Sequence, residues 1–259
     1  LGDSDYEAAQ GLTPTAQAAL LMQRYMYEFE APRQAFAGFP VVAHANGVAN
    51  ENAMFRRAIK VESYNRAGMV SDPLNMFDVA PLADGAAALM ITHPELLPPG
   101  FPHPLVRIAG SSLVTDTLAL HDRPDPLVFN AARLSVERAL KQAGISNQDI
   151  DFFELFDAYS VYSALSMEAA GFAGRGTGWQ FAQNGSIALD GRLPLSTMGG
   201  LKARGNPGGA TGVYRGVVAA LQVRGGAGDN QILGAKRAMV QCLGGPASTA
   251  ATHILEVMD

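Results

Sequence analysis

Two apolar segments near the end of the chain, Arg237–Leu243 and Thr249–Val257, are separated by a turn that begins Gly244-Gly245-Pro246. A connection this short joins only antiparallel neighbours, because a parallel pair needs a crossover of a dozen residues or more. A purely parallel sheet is therefore excluded for this part of the chain. Upstream, strand-like and helix-like segments alternate. Val106–Val114 reads as a strand, and Asn130–Ala143 as a helix stopped by Gly144. Ile150–Phe156 reads as a strand and Tyr162–Ala170 as a helix closed by Gly171. Thr211–Val223 is a helix entered through a glycine-rich loop. The pattern predicts a layered α/β fold with a mixed sheet and antiparallel final strands.

The first part of the chain is different in character. Thr13 and Pro14 supply an N-cap and a first helical residue, and 15–29 is free of breakers. Pro32 opens a second helix running to about Ala45. An Asn- and Gly-containing loop over 46–52 and short elements over 55–69 follow. Asp84-Gly85 leads into Ala86–Ile91, read here as a buried strand or a helix–strand edge. Prolines at 94, 98, 99, 102 and 104 then mark a linker, since proline fixes φ and removes a backbone donor.

Composition excludes several functions. With 48% hydrophobic residues among 259, the chain can build a core without metals or disulfides. A formal net charge of -5 gives no general nucleic-acid surface. The single cysteine, Cys242, rules out an intramolecular disulfide and points to an intracellular, cytoplasmic protein. The five histidines show no metal-site spacing, so no metal is expected. No signal segment or membrane span is legible. The opening at Leu1 reads like the middle of a longer chain.

Three places can carry chemistry. Asp157-Ala158-Tyr159-Ser160, with Tyr162 close behind, ends an apolar strand in polar residues, and a phenol there can exchange a proton with a ligand or simply pack. The run from Gly199 and Gly200 through Asn206 and Gly208 to Gly212 is rich in glycine and lies directly before a helix. Exposed backbone N–H groups and a helix N-terminus suit an oxyanion, although a tight structural turn would read the same way. Tyr214 follows one turn into that helix. Cys242, before Gly244, is an acid/base candidate or a small core residue.

These pieces, DFFELFDAYS, GRLPLSTMGGLKARGNPGGATG, LQVRGGAG and CLGG, in this order and spacing, resemble the C-terminal half of the thiolase superfamily, in particular its sterol-carrier-protein branch. GLTPTAQAALLMQRYMYEF and DPLNMFDVAPLADGAAALMI resemble the family's middle segment. The resemblance covers essentially the whole chain. It implies a layered α-β-α-β-α thiolase fold lacking much of its N-terminal half. Residues 1–70 would then be a helical cap and loop region, 71–97 the end of the N-terminal half, 98–104 the linker, and 105–259 the C-terminal half.

The departures from the family direct the functional expectation. Where thiolases carry a His-Pro pair in the glycine-rich loop, this chain has Asn206-Pro207. Where the sterol-carrier branch has a histidine before Asp157, it has Phe156. An amide can hold an oxyanion but cannot act as a base near neutral pH. With imidazoles absent and phenols present, the pattern is similar to the thiolase-like aldolases of bacterial steroid side-chain degradation. That resemblance implies retro-aldol cleavage of a 17-hydroxy steroid bearing a three-carbon CoA thioester, giving a 17-ketosteroid and propionyl-CoA. CoA would enter only as part of the substrate, with no prosthetic group. The resemblance also implies a homodimer and a hetero-oligomer with an OB-fold accessory protein or a hydratase. The implied site comprises Tyr159, Tyr214, Asn206, Cys242, Tyr162 and Asp157, with Gly199, Gly200, Gly208 and Gly244 admitting the ligand. Two rivals stand beside it: a degradative 3-ketoacyl-CoA thiolase, and a non-catalytic acyl-CoA-binding subunit.

Overall fold

The computed structural model describes residues 2–258. Helix α1 (Pro14–Phe29) starts as the sequence predicts: Thr13 accepts a hydrogen bond from the Ala16 N–H, Pro14 follows, and Glu30 in a left-handed conformation ends it. A 3-10 turn (Arg33–Ala37) leads into α2 (Gly38–Gly47), and α3 (Val61–Arg66) follows. A small ribbon, β1 (Met69–Ser71) with β2 (Leu74–Asn75), closes the helical part.

The main sheet comprises β3 (Val106–Thr115), β4 (Phe152–Glu154), β5 (Arg237–Gly244) and β6 (Thr249–Val257). Its order is β3-β6-β5-β4, with β6 antiparallel to both neighbours and β4 parallel to β5. The terminal hairpin, paired from Arg237↔Glu256 to Gly244↔Thr249, is thus the centre of a mixed sheet. A single parallel bridge from Phe153 to Leu195 continues it beyond β4.

Strand alternation divides the core into two. Phe153, Met239 and Ile254 turn toward α4 (Asn130–Ala143) and α5 (Ser160–Ala169), joining a core that also contains Met22 and Tyr25 of α1. Phe152, Ala238, Val240 and Leu255 turn the other way, against Ala219 and Val223 of α7 (Thr211–Val223). The short helix α6 (Gly200–Arg204) lies in the loop that feeds α7. Among the described residues no helix is long and apolar enough to cross a membrane.

Two expectations need correction. The strand read over 150–156 is regular only at 152–154, because Leu155 onward turns into the loop that starts α5. Residues 84–91 form neither strand nor helix, and they are not buried: Met90 is 93% and Ile91 76% exposed. An apolar run becomes a strand only when its backbone groups find a ladder, and among the described residues none pairs with it. Between Ile91 and β3 the only regular element among the described residues is a 3-10 turn (Pro94–Leu96).

Candidate active site

The C-terminal ends of parallel β4 and β5 meet the loop 199–210 and the first turn of α7. This is where an α/β sheet generally carries its ligand groups. At the centre lies Arg215, 1% exposed. Its Nη2 donates to Asp157 Oδ1 at 3.0 Å, and its Nη1 lies 3.9 Å from Glu154 Oε2. Asp157 also accepts the Leu201 N–H at the start of α6, at 2.9 and 3.1 Å. Glu154 Oε1 accepts from both the backbone N–H and the hydroxyl of Thr197, each at 2.8 Å. Burial pushes the Glu154 carboxyl up, against the opposing pull of Arg215 and the Thr197 bonds.

Asn206 sits on the half-buried rim of this cluster. Its Oδ1 accepts from the Thr211 hydroxyl and the Gly208 N–H, both at 3.2 Å. Its backbone is tied to 81–83 through Asn206 N–H to Pro81 and Ala83 N–H to Asn206. The amide oxygen is thus engaged inside the loop, and among the described residues the Nδ2 donors carry no protein partner. A Cβ built on Gly208 or Gly209 would meet nothing within 4 Å, so this side of the loop is open.

Tyr214 is half-buried, and the Arg204 guanidinium lies 3.9 Å from its ring centroid. Cys242 Sγ lies below the start of α7, 3.5 Å from where a Cβ on Gly212 would stand. Burial pushes its thiol up, while Arg215 and Arg204 pull it back. Near neutral pH it stays a thiol.

The structure therefore brings Asp157, Asn206, Tyr214 and Cys242 into one neighbourhood. It places Tyr159 and Tyr162 elsewhere. The Tyr159 hydroxyl meets the Thr15 hydroxyl of α1 at 3.1 Å, and its ring meets Tyr162 edge-on at 5.0 Å. Tyr162 in turn packs edge-on against Phe129. Burial raises both phenols above the ordinary range, with the Thr15 bond moderating Tyr159. The glycines divide as well. Gly199 and Gly200 are buried by close packing, Gly208 faces open space, and the Gly244 carbonyl accepts from Ser248 in the hairpin turn.

Sequence reading missed Arg215, Glu154, Arg204 and Lys202. A signal was present for the first: Arg215 falls on the same helical face as Thr211, Val218, Ala219 and Gln222, all buried. A charged residue on a core face has to be paired, and Asp157 and Glu154 are the carboxylates at the facing strand end.

A profile described as the thiolase C-terminal domain-like family matches residues 112–257. The chain belongs to the thiolase family. It is 36% identical over 252 residues to an acetyl-CoA acetyltransferase of Methanothermobacter thermautotrophicus, covering 97% of this chain and 66% of that protein. It is 27% identical over 243 residues to the 17-hydroxy-3-oxo-4-pregnene-20-carboxyl-CoA lyase of Mycobacterium tuberculosis, covering 92% of this chain and 62% of the lyase. A solved structure described as an Ltp2-ChsH2(DUF35) aldolase superimposes with a TM-score of 0.84 at 23% identity, covering 97% of this chain and 66% of that one. This likeness establishes the thiolase-like α/β fold. The thiolase chain spans between 55% and 66% of the length of these relatives and of a second archaeal acetyltransferase.

Lys202 of α6 gives this thiolase loop a measurable pH signature. Its Nζ donates to the Asp78 carbonyl at 2.7 Å, and burial lowers it from 10.5 to about 8, against the pull of Asp157 and Asp78. The folded chain thus holds this proton less tightly than the unfolded chain. Between pH 8 and 10.5 the unfolded state binds more protons, so this group's contribution to stability rises with pH. Two and a half units correspond to about 3 kcal/mol over the whole window. The raised phenols Tyr25, Tyr64 and Tyr162 act oppositely as the unfolded chain's tyrosines ionise near pH 10. The clean comparison therefore lies below about pH 9.5. Urea midpoints of the native chain should rise from pH 8 toward that limit relative to Lys202→Met. Parallel curves would show that Lys202 is not held in this state.

Proposed function

We propose that this chain supplies the C-terminal catalytic half of a thiolase-like lyase that cleaves a 17-hydroxy steroid CoA thioester by a retro-aldol step. The observation that carries the reading is Asn206: its oxygen is engaged by Thr211 and Gly208, and its amide donors, on the half-buried rim of the glycine-rich loop, carry no protein partner among the described residues. A donor that cannot accept a proton fits an enolate oxygen and does not fit deprotonation of a thiol. Similarity to a steroid-CoA lyase over 92% of the chain supports the same reading.

In this reaction a base takes the proton of the tertiary hydroxyl. The bond between the ring carbon and the carbon α to the thioester breaks, and its electron pair becomes the thioester enolate. That carbon is then protonated, giving a 17-ketosteroid and propionyl-CoA with no external oxidant or reductant. Asn206 Nδ2 holds the enolate oxygen. Tyr214, in the first turn of α7 next to the Asn206 loop, is the phenol read as carrying the proton from the hydroxyl to the α carbon. Tyr159, bonded to Thr15 of α1, lies outside this neighbourhood and takes no part. The substrate is a CoA thioester and no prosthetic group takes part. An accessory protein is expected, by analogy with the solved Ltp2-ChsH2(DUF35) assembly.

The test is incubation of the intact protein, with its accessory protein, with a 17-hydroxy steroid CoA thioester, followed by mass detection of propionyl-CoA. Product formed without free CoA supports the lyase. A second reading is favoured by the 36% identity to an acetyl-CoA acetyltransferase. Cleavage of a 3-ketoacyl-CoA that requires free CoA, with no propionyl-CoA from the steroid thioester, would establish that one instead.

A further inference from the structure

Each carboxylate at the end of β4 fastens a different point of the loop that carries Asn206. Glu154 holds Thr197 at the loop's entry, and Asp157 holds Leu201 at the start of α6. Both face one guanidinium, that of Arg215, which belongs to α7 and directly follows Tyr214. All three charged side chains are buried, at 1 to 2% exposure. The packing beside them leaves no slack: a Cβ on Gly200 would stand 2.2 Å from Asp157 Oδ2 and 2.6 Å from Ser196 Oγ. Arg215 also lies over the Phe156 ring at 5.7 Å.

From this geometry we infer that Arg215 is the positioning residue of the site, clamping the Asn206 loop and the Tyr214 turn to the end of β4 through Asp157 and Glu154. On this view Asp157 exchanges no proton with substrate. Its carboxylate accepts from the Leu201 N–H and from Arg215 Nη2, and it acts through them. The planar guanidinium reaches both carboxylates at once, with a hydrogen bond from Nη2 to Asp157 and a 3.9 Å charge contact from Nη1 to Glu154; the single point charge of a lysine ammonium does not. A buried ion pair contributes little net stability compared with an apolar replacement of similar volume. What it supplies here is one fixed arrangement of three chain segments. The inference rests on the reading of Asn206 and Tyr214 as the groups that meet the thioester.

The experiment compares native protein, Arg215→Met, Arg215→Lys and the double variant Asp157→Asn/Arg215→Met, in the intact protein. Amide hydrogen exchange is followed peptide by peptide, and turnover is split into kcat and KM. The clamp predicts faster exchange confined to 197–214 in Arg215→Met, with β5 and β6 unchanged. It predicts a kcat lower by about a hundredfold, the scale of an ångström misplacement, with KM nearly unaltered. Arg215→Lys, which keeps the charge and loses the two-point reach, should fall between. The double variant neutralises Asp157, one of the two carboxylates left without Arg215, and should regain part of the thermal stability without regaining kcat. Added guanidinium should partly restore both loop protection and kcat in Arg215→Met. Unchanged exchange over 197–214 in Arg215→Met would overturn the clamp whatever reaction is catalysed. Recovery of kcat together with stability in the double variant would reduce Arg215 to a purely structural role. Loop exchange is read without substrate, so failure of the steroid reaction leaves that result standing.

Discussion

Asn206→Ala should lower turnover of the thioester by about a hundredfold or more while leaving the melting temperature nearly where it was. An oxyanion donor contributes roughly 3–4 kcal/mol to the transition state when it is held in place before the charge develops. Asn206 is so held: its backbone is fixed on both sides by 81–83 and its amide oxygen by Thr211 and Gly208. The structural loss on truncation is small, because the rim of the loop is half exposed and water can replace the two neutral hydrogen bonds, each contributing about 1 kcal/mol. Asn206→Asp gives a sharper contrast. It keeps the shape and both acceptor contacts, yet replaces the free donors by an anion aimed at the developing enolate. Its turnover should fall below that of Asn206→Ala. Equal turnover in native, Ala and Asp forms would remove Asn206 from the chemistry.

Gly200→Ala should cost about 3 kcal/mol of folding stability and most of the activity as well. Two independent penalties combine at this position. Gly200 has φ 53, and placing an L side chain in that region costs roughly 1–2 kcal/mol. The added methyl would also stand 2.2 Å from the Asp157 carboxylate, so either α6 or the carboxylate has to move. Overpacking of this kind typically costs about 1–3 kcal/mol. Gly208→Ala is the matched control. Its φ of 61 carries the same backbone penalty, but the methyl would meet nothing within 4 Å. Urea denaturation of the two variants separates the terms, and equal losses would show that Asp157 is not crowded against Gly200.

Fold and site differ in how far the sequence alone reaches. Asn130–Ala143 and Thr211–Val223 are legible to the residue because their signals are local: an apolar face, a glycine stop, a glycine-rich entry. The terminal hairpin is legible because a short turn admits one geometry. What cannot be read locally is direction. Asp157 and Tyr159 are two residues apart, yet the first meets Arg215 from a helix more than fifty positions later, and the second meets Thr15 of α1. The strand ends after Glu154, so side-chain alternation no longer tells which way either points. The reading of Ala86–Ile91 as a buried strand failed for a related reason. Strand propensity is a statement about fit to neighbours, and composition carries no information about whether a neighbour is there.

That uncovered run is also a place where two molecules can meet. Ala86–Thr92 contains no charge and no proline, and Leu89, Met90 and Ile91 present their side chains to water. Such a heptad is a ready template for cross-β stacking between molecules. Preparations of this stretch of chain by itself thus face a race between staying dispersed and clumping, and dilution, or a lysine set among those three residues, tilts the race toward dispersion.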